Sequence, residues 1–374
     1  MTRTPNDSVL LTPGPLTTAH ETKLAMLHDW GSRDEAFIGL NQRVRDRLLS
    51  IANAKKTHTC VPLQGSGTFI VEATLCTLIP KSAKTLVLIN GAYGKRISKI
   101  LDYCGRKYTT IISQEDTPIN PREVEKKLNS DKKLKYVVIV HCETTSGILN
   151  PIQIISKIIK KHQRLLIIDA MSSFGAIPID CKKVQFDAVI ASSNKCLEGV
   201  PGMGFAIIRK TALENCQGNS HSLSLDIFEQ WEAMELSGQW RFTPPTHVIA
   251  AFDQALTLFE AEGGVISRNS RYKENAKLLI KGMTALGFET ILKPDHQAPI
   301  IITFKMPKNP NFKFQQFYIG LKTRGFIIYP GKLTEIDSFR MGCIGHLGSK
   351  EMSSTISAVH EVLSDMNIDY IAKI

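Results

Sequence analysis

Two stretches, RLLIIDAM (residues 164–171) and FDAVIASSNKCLEGVPGMGF (186–205), decide how this chain folds. Each contains a short, nearly unbroken apolar run with no alternating polar face, the pattern of a strand covered on both sides. Upstream the same kind of run recurs as THTCVPLQ (57–64), KTLVLIN (84–90), YTTIIS (108–113) and KYVVIVHCE (135–143). Between these runs lie helical patterns: TFIVEATLCTLI, YGKRISKILDYCG, the proline-opened PREVEKKLNS and PIQIISKIIKKHQ. Strands separated by helices long enough to cross over predict an α/β fold with a mostly parallel sheet flanked by helices. After GMGFAIIRK (202–210) the pattern changes. A loop-rich stretch from Asn215 to Thr246 precedes a helix ending near Gly263-Gly264, and a second helix is expected from about Ser270 to Leu286. The strands and helices beyond are fewer and more segregated, which predicts a smaller α+β domain with a boundary near Gly264.

The composition agrees with a globular protein of two units. The chain has 374 residues, of which 43% are hydrophobic, enough for a substantial core. No stretch approaches the roughly 18 uninterrupted apolar residues of a membrane span, and the first residues lack the apolar core of a secretory signal. Eight cysteines are scattered without a CxxC pair, which predicts reduced thiols in a cytoplasmic protein, neither a disulfide framework nor a metal site. The formal charge of +11 fits a solvated basic face or attraction for small anions. A nucleic-acid-binding role has only that charge in its favour, because no helix-turn-helix, zinc spacing or aromatic platform accompanies it.

In open α/β sheets ligands collect at the carboxyl ends of the strands. Three such ends carry chemistry here. VPLQ runs into Gly65-Ser66-Gly67-Thr68 and then a helix, so Ser66, Gly67 and Thr68 offer backbone N–H groups, two hydroxyls and a helix N-terminus to a phosphate. The alternative use of this turn is an ordinary N-cap; it is neither GxGxxG nor a P-loop. Asp169 ends the run LLIID, where a carboxylate is either a turn former or the partner of a buried cation. Lys195 follows VIASS and precedes the side-chain-poor GVPGMG, a setting that excludes water, disfavours the ammonium and makes an amine nucleophilic towards carbonyls. An anion cradle, an acid and an amine match the phosphate, ring nitrogen and aldehyde of pyridoxal 5'-phosphate.

LLTPGPLTT, LQGSGTF, NGAYGKR, HCETTSGILNP, IDAMSSFGAIPID, SSNKCLEGVPG, HSLSLDI, QWRFTPPTH, YPGK and FRMGCIG occur in the order of one family and span nearly the whole chain. The sequence resembles the class V, fold-type I pyridoxal-phosphate aminotransferases, and DAMSSFG with SSNKC resembles their phosphonate branch. That resemblance implies a seven-stranded large domain over residues 21–264, a small domain over 265–374, and an N-terminal segment, 1–20, packed with the small domain. It implies that Lys195 binds the cofactor covalently and moves the substrate proton, while Asp169 pairs with the ring nitrogen. Ser66, Gly67 and Thr68 would hold the phosphate, Tyr93 would stack on the ring, and Thr145 and Ser193 would bond the cofactor. Thr243 would reach the phosphate of a second subunit in a homodimer with shared active sites, and Arg340 would bind the substrate's anionic group. Arg33 and Arg45 are further candidates for that group; His141 reads as a satisfied strand-end histidine.

The implied reaction is transfer of the amino group of 2-aminoethylphosphonate to pyruvate, giving phosphonoacetaldehyde and alanine. Other amino donors, as in alanine- or serine-glyoxylate aminotransferases, are the nearest alternative. A cysteine desulfurase is less well matched, since no cysteine lies on an obvious Gly/Ser-rich loop.

Overall fold

The computed structural model describes residues 7–333 and 336–368. Its central sheet has seven strands: β1 (His58–Gln64), β2 (Lys84–Ile89), β3 (Lys107–Ile112), β4 (Leu134–Val140), β5 (Leu165–Asp169), β6 (Ala188–Ser192) and β7 (Met203–Arg209). Their order is β1-β7-β6-β5-β4-β2-β3. All neighbours are parallel except β7, which runs antiparallel to both β1 and β6. The expected α/β fold with a mostly parallel seven-stranded sheet is therefore the observed one.

The unbroken apolar runs have a simple physical origin. Along β2, Leu86 and Leu88 face one core while Val87 and Ile89 face the other; along β4, Val137 and Ile139 oppose Val138 and Val140 in the same way. Side chains alternate across a strand, so a sheet with helices on both faces needs apolar residues at every position. Helices Gly67–Leu78 and Ala92–Tyr103 cover one face, through Ile70, Val71, Ile97 and Leu101. Helices Glu35–Ile51, Pro121–Ser130, Ile152–Lys161 and Thr246–Glu262 cover the other.

A separate core is built on an antiparallel sheet of Ile301–Lys305, Ser338–Gly342 and Tyr329–Pro330, packed by helices Gly264–Ala285, Phe314–Thr323 and Ser349–Asp365. The N-terminal strand Val9–Leu10 joins this core, pairing in parallel with Phe326–Ile327. Gly342 N–H then donates to Leu11 O, and His346 N–H to Thr17 O, which carries the N-terminal segment along the edge of the small core.

Three expectations are corrected. The stretch read as loop-rich contains an eleven-residue helix, Ile227–Ser237, started by Asp226, whose carboxylate accepts from Phe228 and Glu229 N–H. The helix expected from Ser270 begins at Gly264, because the glycine pair ends one helix and opens the next. Cys76 and Cys104 form a disulfide. Each stands at the end of a helix on the same face of the sheet, a proximity that their sequence separation of 28 does not reveal.

Phe339 lies at the centre of the second core, its ring centroid 5.5 Å from Phe288, 5.6 Å from Phe304 and 5.5 Å from Phe317. Phe339→Ala is expected to cost about 3–5 kcal/mol through the cavity it leaves, read as a lower urea midpoint by circular dichroism. An unchanged midpoint would show that this core does not limit stability.

Candidate active site

The carboxyl ends of β1, β2, β4, β5 and β6, with the entry to the antiparallel β7, surround a cavity of about 520 Å³. At the end of β1 the chain turns through Gly65, whose φ of +114° is accessible to glycine at little cost. Ser66 caps helix Gly67–Leu78 without using its side chain as the cap. The hydroxyl and the first N–H groups of the helix thus face the cavity together, with Thr68 beside them. Gly67 is needed for closeness: a Cβ there would stand 2.6 Å from Met171 Sδ. Backbone donors at a helix start, with no side chain in the way, form an anion cradle.

Opposite the cradle, Asp169 ends β5 and is buried. Met171 N–H donates to its Oδ1 at 2.9 Å. Burial first, then the nearby charge of Glu143, raises its carboxyl to about 6 against the pull of Met171, Arg96 and Lys195. A cationic donor against the carboxylate would reverse that shift. Lys195, just beyond β6, has its Nζ in the same cavity and donates to Pro13 O at 2.6 Å. Burial, followed by the like charges of Lys332 and Arg340, outweighs Tyr93 and lowers its amine below the usual lysine range. Gly14 makes room for this lysine: it has φ +126°, and a Cβ there would lie 2.6 Å from Nζ. The cradle, the buried acid and the buried amine, around one cavity, fit the three ends of pyridoxal phosphate.

The remaining predicted residues divide. Tyr93 lines the cavity at the start of helix Ala92–Tyr103. Thr145 and Ser193 are turned inward. The Thr145 hydroxyl accepts from Ala92 N–H at 2.8 Å and donates to Glu143 Oε1 at 2.6 Å. Ser193 Oγ donates to Val200 O at 2.6 Å. Their neighbours Thr144, Ser192 and Asn194 reach the cavity wall instead. Arg340 is buried beneath the rim, with Nε donating to Pro330 O at 3.1 Å and Nη1 to Thr144 O at 2.9 Å. Thr243 is exposed and lines a different groove, next to Gln64 and Phe242, away from its own subunit's cavity wall. Arg33 is exposed, and Arg45 is committed to Glu235 at 2.6 Å and Cys60 O at 2.8 Å. His141 shares a hydrogen bond of 2.9 Å with Ser173 Oγ, and burial pushes its imidazole down to about 3.

Three charged residues were not singled out by the sequence. Glu143 is fully buried and accepts from Tyr93, Gly94 and Thr145 N–H, fixing the start of the helix that carries Tyr93. Arg96 follows Tyr93 by three positions, so it shares the same helix face; it stands 4.8 Å from the Tyr93 ring centroid and donates to Thr68 Oγ1 at 3.3 Å. That spacing, in NGAYGKR, was the available signal. Lys332 approaches the same ring from the small core, 5.4 Å from its centroid.

Behind Lys195 the turn is anchored by Glu198, a buried residue at φ +58° whose N–H donates to Lys195 O. Its carboxylate accepts from Tyr272 Oη at 2.5 Å and Arg271 Nη2 at 2.8 Å, with Arg268 Nη1 at 3.3 Å. Arg271 Nη1 also donates to Gly345 O at 2.6 Å and Leu347 O at 2.9 Å, so one cluster ties the lysine turn to the small core. Burial works to raise Glu198, yet Arg268, His346, Arg271 and Tyr272 outweigh it and hold its carboxyl at about 2.

The Aminotransferase class-V family matches residues 28–332 of the chain. Among curated proteins, the 2-aminoethylphosphonate–pyruvate transaminase 2 of Burkholderia lata is 52% identical over 96% of this chain and 96% of its own length. The 2-aminoethylphosphonate–pyruvate transaminase of Pseudomonas aeruginosa is 51% identical over 96% of this chain and 97% of its own. Among solved structures, ureidoglycine-glyoxylate aminotransferase from Bacillus subtilis superposes with a TM-score of 0.89 at 21% identity, covering 99% of this chain and 96% of that one. The last likeness is one of fold.

The Glu198 cluster gives a prediction that needs no ligand. Its folded carboxyl, at about 2, lies below the ~4.3 of an unfolded glutamate, so its contribution is complete above about pH 4.5 and disappears as pH falls towards 2. Glu198→Gln should therefore be less stable by about 3–5 kcal/mol at pH 7, measured by urea unfolding, with the gap to the parent shrinking across that acid range. A gap that stays constant from neutral to acid pH would refute the ionic account.

Proposed function

The chain belongs to the class-V aminotransferases, and on that premise we propose that it transfers the amino group of 2-aminoethylphosphonate to pyruvate, yielding phosphonoacetaldehyde and L-alanine. The observation that carries this reading is the convergence of Lys195, Asp169 and the Ser66–Thr68 cradle on one cavity, in a chain about half identical to transaminases of that name over nearly its full length. When bound, pyridoxal phosphate supplies an aldehyde that takes up the amine and a ring that draws electrons from the adjoining carbon.

The protein's part follows from the positions of its groups. Ser66, Gly67 and Thr68 hold the phosphate, and Arg96, against Thr68, adds a positive charge there. Tyr93 packs on one face of the ring, and Asp169 keeps the ring nitrogen protonated. Lys195, whose amine burial makes easier to deprotonate, anchors the cofactor and, once released, takes the proton from the carbon that bears the substrate nitrogen and returns it elsewhere. Arg340 supplies positive charge to the anionic end of either substrate. Its guanidinium has no carboxylate partner among the described residues, while backbone carbonyls orient it.

Thr243 acts across a homodimer in this reading. It is exposed on its own subunit, beside the exposed Phe242, where a second copy can cover both. A cytoplasmic setting suits the small diffusible substrates and the six free cysteines, with Cys76–Cys104 as the exception. No described helix is long and apolar enough to cross a membrane.

The holoenzyme should be yellow, and borohydride should leave the cofactor attached to Lys195 in a peptide map. Lys195→Ala should lose turnover by at least about a thousandfold. In a panel of amino donors with pyruvate and glyoxylate as acceptors, 2-aminoethylphosphonate with pyruvate should give the highest kcat/KM. Preference for alanine or serine with glyoxylate would overturn the assignment of substrate while leaving the reaction type.

A further inference from the structure

We propose that Lys332 is a specificity-determining residue that recognises the second negative charge of the phosphonate, and that Arg340 positions it by holding the turn on which it sits. The proposal deepens the transaminase reading and rests on it.

Among the described residues four cations stand at or next to the cavity: Lys195 and Arg96 line it, Lys332 stands over the Tyr93 ring, and Arg340 donates to Thr144 O behind the wall. Two buried carboxylates accompany them. Glu143 is already occupied by N–H donors and the Thr145 hydroxyl, and Asp169 faces the ring nitrogen's place. The surplus is therefore positive, and each cation has an address. Arg96 bonds Thr68 and belongs to the phosphate cradle. Lys195 belongs to the aldehyde. That leaves Arg340 and Lys332 for the substrate.

Arg340 alone does not match the charge of a phosphonate: it carries a single positive charge, and its Nε and one N–H of Nη1 already donate to Pro330 O and Thr144 O. A phosphonate presents three oxygens and approaches two charges at neutral pH, like a phosphate monoester. Lys332 meets that excess. It lies two residues after Pro330, whose carbonyl Arg340 grips, and Gly331 N–H donates to Ser338 O at 2.8 Å, so two bonds fasten the start of the turn to the arginine's strand. Its Nζ stands over the Tyr93 ring, its side chain is exposed at the rim, and among the described residues it has no carboxylate partner. An ammonium with three rotatable donors suits a tetrahedral anion better than a planar one.

The experiment uses cofactor-loaded enzyme and two dead-end probes of equal chain length that lack the amine, ethylphosphonate and propionate. Each is titrated by calorimetry against the parent, Lys332→Met and Lys332→Arg. Lys332→Met is expected to weaken ethylphosphonate roughly ten- to a hundredfold, the scale of a charge-assisted contact, and propionate no more than about threefold; Lys332→Arg should recover most of the loss. In the parent, ethylphosphonate should bind more tightly as pH rises through its second ionisation, and that rise should flatten in Lys332→Met. Equal losses for both probes would reduce Lys332 to a general contribution to the field and overturn the proposal, as would an unchanged ethylphosphonate affinity. Turnover of 2-aminoethylphosphonate by the parent is measured separately. Its absence, with the probe selectivity intact, would sink the substrate assignment and leave the phosphonate subsite standing.

Discussion

A carboxylate removed from water and surrounded by two guanidiniums and a phenol is the constraint on which the site depends. Glu198 sits three residues after Lys195, and its backbone closes the turn that presents the amine. An ionised group so deeply buried is tolerated only when its charge and its lone pairs are all met. Arg271, Arg268 and Tyr272 converge on its Oε1, with His346 nearest to Oε2, and the first three come from one helix, Gly264–Ala285, that leads into the small core. The positions of Lys195 in one half and of Arg340's strand in the other are thus set by a shared electrostatic requirement. Glu198 even adopts a left-handed backbone conformation that side chains rarely take, a local cost the cluster offsets.

Much of the fold was legible because both faces of the sheet are covered, which forces a continuous apolar signal that loops and amphipathic helices do not imitate. Asp169 and Lys195 were legible for a related reason: a charged residue that ends such a run must be used for something. The pairs Thr144/Thr145 and Ser192/Ser193 show where that reasoning loses precision. Adjacent residues beyond a strand end face opposite ways, and only the path of the chain decides which hydroxyl meets the cavity and which seals the turn behind it. Here the inner member of each pair bonds to protein and the outer one lines the wall.

What the sequence did not disclose depends on contacts between distant segments. Glu143 was hidden in HCETTSG as one more strand-end residue, yet its oxygens organise the start of the helix that bears Tyr93. Lys332 ends the quoted stretch YPGK, yet its role arises from a ring some 240 positions earlier in the sequence. The disulfide is of the same kind, because two helix ends meet only after the sheet has brought their helices side by side. Helix Ile227–Ser237 was missed for a local reason: its cap, Asp226, follows a run of serines that reads as loop, and its own apolar pattern is weak.

The N-terminal segment has a consequence for the order in which the molecule can be completed. Pro13 O accepts from the Lys195 amine and Gly14 leaves it space, so this N-terminal segment forms part of the wall around the reacting lysine. The strand just before Pro13, Val9–Leu10, pairs with Phe326–Ile327, near the other end of the chain. Val9–Leu10 therefore has no partner until the chain has been made as far as Phe326–Ile327. Closing so long a loop is slow compared with building the large sheet. The pairing of Val9–Leu10 with Phe326–Ile327 and the wall on the open side of the reactive amine are thus made by one stretch of chain.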